Sequence, residues 1–246
     1  KRGLSAWRSP LYTGSGNRIK EMLMEQGKRF IGIFIVCTIC VMAAGCGKGF
    51  DASGYTEAIL ALQFQGDVRN AGAFVEGTDR AELMEMYQSF VDDFVAGYIT
   101  NGMTVSEAQQ EEFSELASTI FTSMRYEVGE AKKAGKGEYE VPVIIRPSDT
   151  FIRYRDLLTE DSVKMSEKVR KGEYGGDEEE AMEQMMAEIA VNAYELLETA
   201  YEGSEYGEEQ TVILRVGTDG NEIYSIDAED MDNLIAKILR LDEIGG

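Results

Sequence analysis

The chain has 246 residues, enough for one ordinary domain with a substantial core, and 43% of them are hydrophobic. Its 24 Lys+Arg against 45 Asp+Glu give a net charge of −21; residues 1–45 contribute +5, so the remainder carries −26. A body so acidic repels phosphate backbones, which excludes nucleic acid as a partner. There is no histidine, which removes the usual general base near neutral pH, Ser-His-Asp and Cys-His catalysis and the common zinc-hydrolase centres.

The apolar run near the front sets the organisation. From Phe30 to Met42 every residue except Gly32 and Thr38 is apolar or cysteine, with Lys28 and Arg29 directly before it. A positive flank and an apolar segment shorter than the ~20 residues of a membrane span read as a signal peptide. Small residues Ala43, Ala44 and Gly45 follow, then Cys46 and a polar stretch. The three cysteines, Cys37, Cys40 and Cys46, all lie in or beside this segment. That excludes a disulfide-stapled domain and a thiolate metal site beyond it.

Ala43-Ala44-Gly45-Cys46 resembles the lipobox of bacterial lipoproteins, with alanine where leucine is commonest. The resemblance implies diacylglyceryl transfer to the Cys46 sulfur, cleavage before it with Ala43, Ala44 and Gly45 as recognition residues, and anchoring on the outer face of the cell membrane. Two acyl chains suffice for stable attachment. The expected division is 1–23 as upstream sequence or n-region, 24–45 as lipoprotein signal, 46–54 as lipidated tether and 55–246 as one domain. Met22 or Met24 is the expected translation start.

In chain order, Ser53 is expected to cap a helix to Gln65 that turns Ile59, Leu62 and Phe64 inward. Asp79 and Glu82 open a second helix with Leu83, Met86, Tyr87, Phe90, Phe94 and Tyr98 on one face, ended by Asn101-Gly102. Ser106 and Gln109 open a third, with the stripe Phe113, Leu116, Ala117, Ile120, Phe121 and Met124. The period then changes to two. Tyr126 and Val128 alternate against Tyr139, Val141, Val143 and Ile145, with Gly135-Lys136-Gly137 at the turn of a hairpin. Pro142 cannot donate to a ladder and makes its strand an edge or a bulged one.

Residues 150–172 read as helix mixed with loop, and 171–180 as loop. A Met-rich helix follows, through Met182, Met185, Met186, Ile189, Ala193, Leu196, Leu197 and Ala200. A second hairpin turns at Asp219-Gly220. Asp227 caps a last helix that buries Met231, Leu234, Ile235, Ile238 and Leu239. The order is α-α-α-β-β-α-α-β-β-α, an α+β fold with an antiparallel sheet of about four strands, in two hairpins, packed with paired helices. The stretches "DASGYTEAIL" and "YEVGEAKK…GEYEVPVIIRPSD" resemble a group of Firmicutes lipoproteins related in turn to the cone-shaped nuclear-transport-factor-2-like fold. That resemblance implies a sheet wrapped round a helix, with an open mouth.

Three constellations invite chemistry. Asp92 and Asp93, beside Phe90 and Phe94, offer a candidate acid or base. Asp177 to Glu180, and Asp227, Glu229, Asp230 and Asp232, offer carboxylates to a hard cation, without the spacing or central glycine of an EF-hand. The methionines Met182, Met185 and Met186 offer an adaptable groove, although this spacing more often serves a core. No catalytic residue, metal site or cofactor is assigned. The expected function is a non-catalytic binding or interaction module, taking a small ligand or an envelope protein. The alternatives are a pocket enzyme using carboxylates and tyrosines and a structural accessory subunit.

Overall fold

The computed structural model describes residues 50–72, 74, 79–101, 103–218 and 223–244. Ala43, Ala44, Gly45, Cys46 and the Asp219-Gly220 turn lie outside these residues.

Helix α1 (Ala52–Gln65) is apolar around almost its whole circumference and is buried accordingly: Tyr55, Leu60, Leu62 and Phe64 are among the most enclosed side chains. Its cap is Asp51, whose carboxylate accepts from the Gly54 amide at 2.9 Å, and not Ser53. Gly66 ends it in the left-handed region (φ +63°), where a Cβ would also meet the Tyr87 ring at 2.9 Å. One short turn, α2 (Val68–Ala71), leads towards α3 (Arg80–Phe94), capped by Asp79 and running directly into a π-helical turn, Val95–Ile99. Helix α4 (Glu107–Thr122) opens with a capping box formed by Ser106 and Gln109. The predicted stripes on α3 and α4 face the core, with Met86 and Tyr98 half-buried.

The sheet has the order β1-β3-β4-β5, all antiparallel, with β2 pairing β3 beyond the end of β1. The strands are β1 (Arg125–Val128), β2 (Lys132–Gly135), β3 (Glu138–Arg146), β4 (Gln210–Thr218) and β5 (Tyr224–Ile226). The first arm of the predicted hairpin is thus two strands, β1 and β2, separated opposite Pro142. Strand β3 is central rather than an edge, pairing β4 from Tyr139 to Ile145. A central strand tolerates the proline because the other arm bulges there. Gly129 donates its N–H to the Pro142 carbonyl at 2.8 Å, and the imino nitrogen needs no acceptor at the gap. A Cβ on Gly129 would meet Pro142 Cγ at 2.9 Å.

Ser53 completes this bulge. Its hydroxyl accepts from the Ala131 N–H at 2.8 Å and donates to the Gly129 carbonyl at 3.1 Å. One side chain of α1 therefore stands in for the missing rungs of the ladder.

Residues 150–171 form one continuous helix, α5 (Thr150–Lys171), without the expected loop, and the acidic run after Tyr174 belongs to a helix start. Asp177 caps α6 (Glu178–Glu202), forming a capping box with Glu180. Helix α7 (Ala228–Ile238) is capped by Asp227, and its Met231, Leu234, Ile235 and Ile238 are buried, as predicted.

Among the described residues this is an α+β fold in which the helices back one face of a curled antiparallel sheet. Val141, Val143, Ile145, Val212, Leu214 and Val216 point inward, while Ile213 stays exposed on the other face. The interior is filled by rings. Phe121 meets Phe64, Phe90 and Phe94 at centroid distances of 6.5, 5.3 and 4.9 Å, and Phe94 meets Phe151 at 5.4 Å.

Candidate functional site

The first described residue is also the most informative one. Phe50, four residues after Cys46, lies flat on Tyr224 with ring centroids 3.7 Å apart and planes 5° from parallel. It also touches Tyr55 at 5.5 Å and Tyr139 at 5.7 Å, and Phe74 meets Tyr55 edge-on at 5.9 Å. The Tyr55 hydroxyl donates to the Tyr224 carbonyl at 3.2 Å. These residues come from both ends of the chain and converge at the end of the sheet where β3 and β5 begin and β4 ends. The chain leading from Cys46 is thereby fixed to the fold almost at once. In sequence Phe50 reads as part of a tether, and its only distinguishing mark is being aromatic among small and polar neighbours. Cys46 itself, with Ala43, Ala44 and Gly45, lies outside the described residues.

The carboxylates singled out in the sequence are separated by the structure and mostly engaged. Asp92 accepts from the Ser114 hydroxyl at 2.6 Å and from Gln88 at 3.0 Å, while Asp93 points to solvent. Asp227 and Asp230 are held by Arg215. Its Nε lies 2.7 Å from Asp230 Oδ2, and its Nη2 lies 3.0 Å from both Asp227 Oδ1 and Asp230 Oδ1. Asp177 and Glu180 cap their own helix. Among the described residues no group of three or more carboxylates is placed to hold a metal ion.

Asp232 behaves differently from its neighbours in the same run. Burial first, and Glu229 second, push its carboxyl above the ordinary range. Burial, with the Asp232 charge adding to it, likewise pushes the Tyr98 phenol up. Tyr98 sits in the π-helical turn and stacks on Phe94 at 4.9 Å. The Asp232 charge thus reaches the Tyr98 phenol. The sequence gives no sign of it, because the two lie far apart in the chain.

A third polar cluster lies between α5 and α6. The main core ends at Leu158 on one helix and Ala193 on the other; beyond them Met165, Met185 and Ala190 are buried between the pair. Lys168 forms an ion pair with Glu188, whose second oxygen accepts from the Tyr174 hydroxyl at 2.8 Å, and Asn192 donates to the buried Asp161 at 3.1 Å. The bond from Lys168, then that from Tyr174, lowers the Glu188 pKa. Burial first, and the bond to Glu188 second, push the Tyr174 phenol up to about 12. Of the methionines expected to line a core or groove, Met185 is buried and Met182 is exposed.

No family model matches the chain, and no curated protein matches it. Among solved structures, a candidate lipoprotein (ycdA) from Bacillus subtilis is similar over 77% of this chain, with 13% identity and a TM-score of 0.45. This chain spans 56% of that one. A likeness so distant assigns no function. No helix among the described residues is long and apolar enough to cross a membrane.

Proposed function

We propose that the chain is a lipoprotein on the outer face of a Firmicutes cell membrane, anchored by a diacylglycerol on Cys46, and that its folded part is a non-catalytic binding or interaction module. The observation that carries the reading is the join between signal and fold. The lipobox-like Ala43-Ala44-Gly45-Cys46 stops four residues before Phe50, which is already packed on Tyr224. A cut before Cys46 therefore removes the apolar segment and leaves the folded part whole. A cut further on would strip away Phe50.

The non-catalytic part of the reading is supported by how the acidic side chains are occupied. Asp92, Asp161, Asp227 and Asp230 are each bound to a protein donor. Acid–base catalysis is the second reading, and Tyr98 with Asp232 is the pair that favours it.

The anchor is tested by expressing the full chain in a Gram-positive host and measuring the mass of its N-terminal peptide. A peptide beginning at a diacylglyceryl-modified Cys46 is the expected result, with Cys46→Ala leaving the membrane fraction. An unmodified Cys46 in membrane-bound protein refutes the reading. Native mass spectrometry of the gently extracted protein separates a module that retains a small ligand from one whose partner must be sought by crosslinking in the envelope.

A further inference from the structure

We propose that the end of the sheet carrying the β2–β3 turn rests on the anionic lipid headgroups, with Lys132, Lys133 and Lys136 facing them, so that the domain stands in one orientation on the membrane. The inference rests on Cys46 being the lipid anchor. Its first support is the length of chain between the lipid and the fold. Four residues span at most about 14 Å when fully extended. Phe50 is held by Tyr224 at the start of β5 and by Tyr139 near the start of β3. The Phe50 backbone therefore lies within about 14 Å of the lipidated cysteine, whatever path the chain takes, and the two tyrosines adjoin the Phe50 ring.

The second support is what that surface presents. Tyr139 is the cross-strand partner of Lys133, and Glu140 that of Lys132. Gly137, in the turn, has the Thr218 side chain 2.5 Å and the Tyr224 hydroxyl 3.9 Å from where its Cβ would stand. The β2–β3 turn is thus packed against the residues that hold Phe50. Lys132, Lys133 and Lys136 are all exposed, and none forms an ion pair among the described residues.

Residues 130–140 carry three lysines and three glutamates, against −26 for the whole of 46–246. The β2–β3 segment, electrically neutral with three exposed ammonium groups, approaches an anionic bilayer with less repulsion than most of the body meets. Each lysine near such a surface adds to the attraction, which is screened beyond a Debye length.

The other end of the sheet marks the opposite pole. Strand β4 pairs Val216 with Tyr139 at the anchored end, and the exposed Glu208 precedes its start. At about 3.3 Å per residue the two positions are about 25 Å apart.

The test uses the full, lipid-modified chain in vesicles of phosphatidylglycerol and phosphatidylcholine. Cleavage before Cys46 removes Cys37 and Cys40, and the thioether blocks Cys46, so an introduced cysteine is the sole free thiol. Ala134→Cys and Glu208→Cys, each labelled with a donor dye, are compared by energy transfer to an acceptor in the headgroup layer. Several-fold stronger transfer from position 134 is expected, with the difference shrinking in high salt, in pure phosphatidylcholine, or when Lys132, Lys133 and Lys136 are all changed to Glu. Equal transfer from both sites, or stronger transfer from 208, overturns the orientation while leaving the anchor intact. An intact mass without diacylglycerol on Cys46 overturns the anchor and the orientation with it.

Discussion

Removing the Ser53 hydroxyl is the sharpest test of how α1 and the sheet are joined. In Ser53→Ala the Gly129 carbonyl and the Ala131 N–H both lose their partner. Two ordinary hydrogen bonds contribute about 0.5–1.5 kcal/mol each, and the site is half-buried, so the lower part of that range applies. Alanine's better helix propensity offsets up to about 0.5 kcal/mol. The expected net loss is about 0.5–2 kcal/mol, or a Tm lower by roughly 1–8 °C for a domain of this size.

Urea unfolding of residues 47–246 followed by circular dichroism gives the free energy, and amide exchange at Ala131 gives the location. That amide is slow in the wild type and accelerates in the variant beyond the global change. Ser53→Asp separates a bridge from a cap. Aspartate is an excellent N-cap but cannot donate to the Gly129 carbonyl, so it is expected to lose at least as much as alanine. A Ser53→Asp chain as stable as the wild type, with Ala131 exchange unchanged in Ser53→Ala, refutes the bridge.

Gly129→Ala is expected to cost about 1–3 kcal/mol in the same urea assay, because the new methyl meets the Pro142 ring. Phe50→Ala removes the stack on Tyr224 and is expected to cost about 1–3 kcal/mol; limited proteolysis should then cut near residue 50 far faster than in the wild type. Replacing Asp161 and Asn192 together by leucine is expected to leave the urea midpoint unchanged or higher, whereas Asn192→Leu alone lowers it by leaving a buried carboxylate without its donor. For alkaline stability, burial pushes the phenols of Tyr98, Tyr126 and Tyr154 up, that of Tyr126 to about 12. A folded pKa above the unfolded value of about 10 means stability is intact below pH 10 and falls as pH rises through 10 to 12. Tyrosinate absorbance at alkaline pH should rise together with the loss of helix signal, and full ionisation of all tyrosines in a still-folded chain would contradict the burial.

Elements held by their own residues are readable from the sequence. Helices α3, α4 and α7 announce themselves by apolar stripes and by Asp79, Ser106 and Asp227 at their starts, and β1 and β3 by strict alternation. Features made by distant residues are not. The partner of Ser53 lies 76 positions away, and nothing local separates a bridging serine from a capping one. Pro142 reads as an edge residue until Gly129 is seen to bulge opposite it. Helix α5 loses its apolar signal past Leu158 because Asp161 and Lys168 take places on the face it turns to α6. Phe50 is silent because an aromatic side chain in a polar stretch is usually just exposed.

The burial of α1 also decides how the molecule bears load and how it assembles. Under the proposed secretion and anchoring, the chain leaves the cell N-terminus first, so among the described elements α1 is the first outside the membrane and the one closest to the anchor. Yet its hydroxyl partners are in residues 129–131 and at Tyr224, which emerge much later. The helix cannot be enclosed until nearly the whole chain has crossed, and closure across such sequence separations is slow. Once closed, a pull on the proposed anchor would enter at the end of the sheet through Phe50 and pass directly into α1, β3 and β5. A domain tethered this way would take tension on the three elements that hold Phe50, α1, β3 and β5, at the same moment.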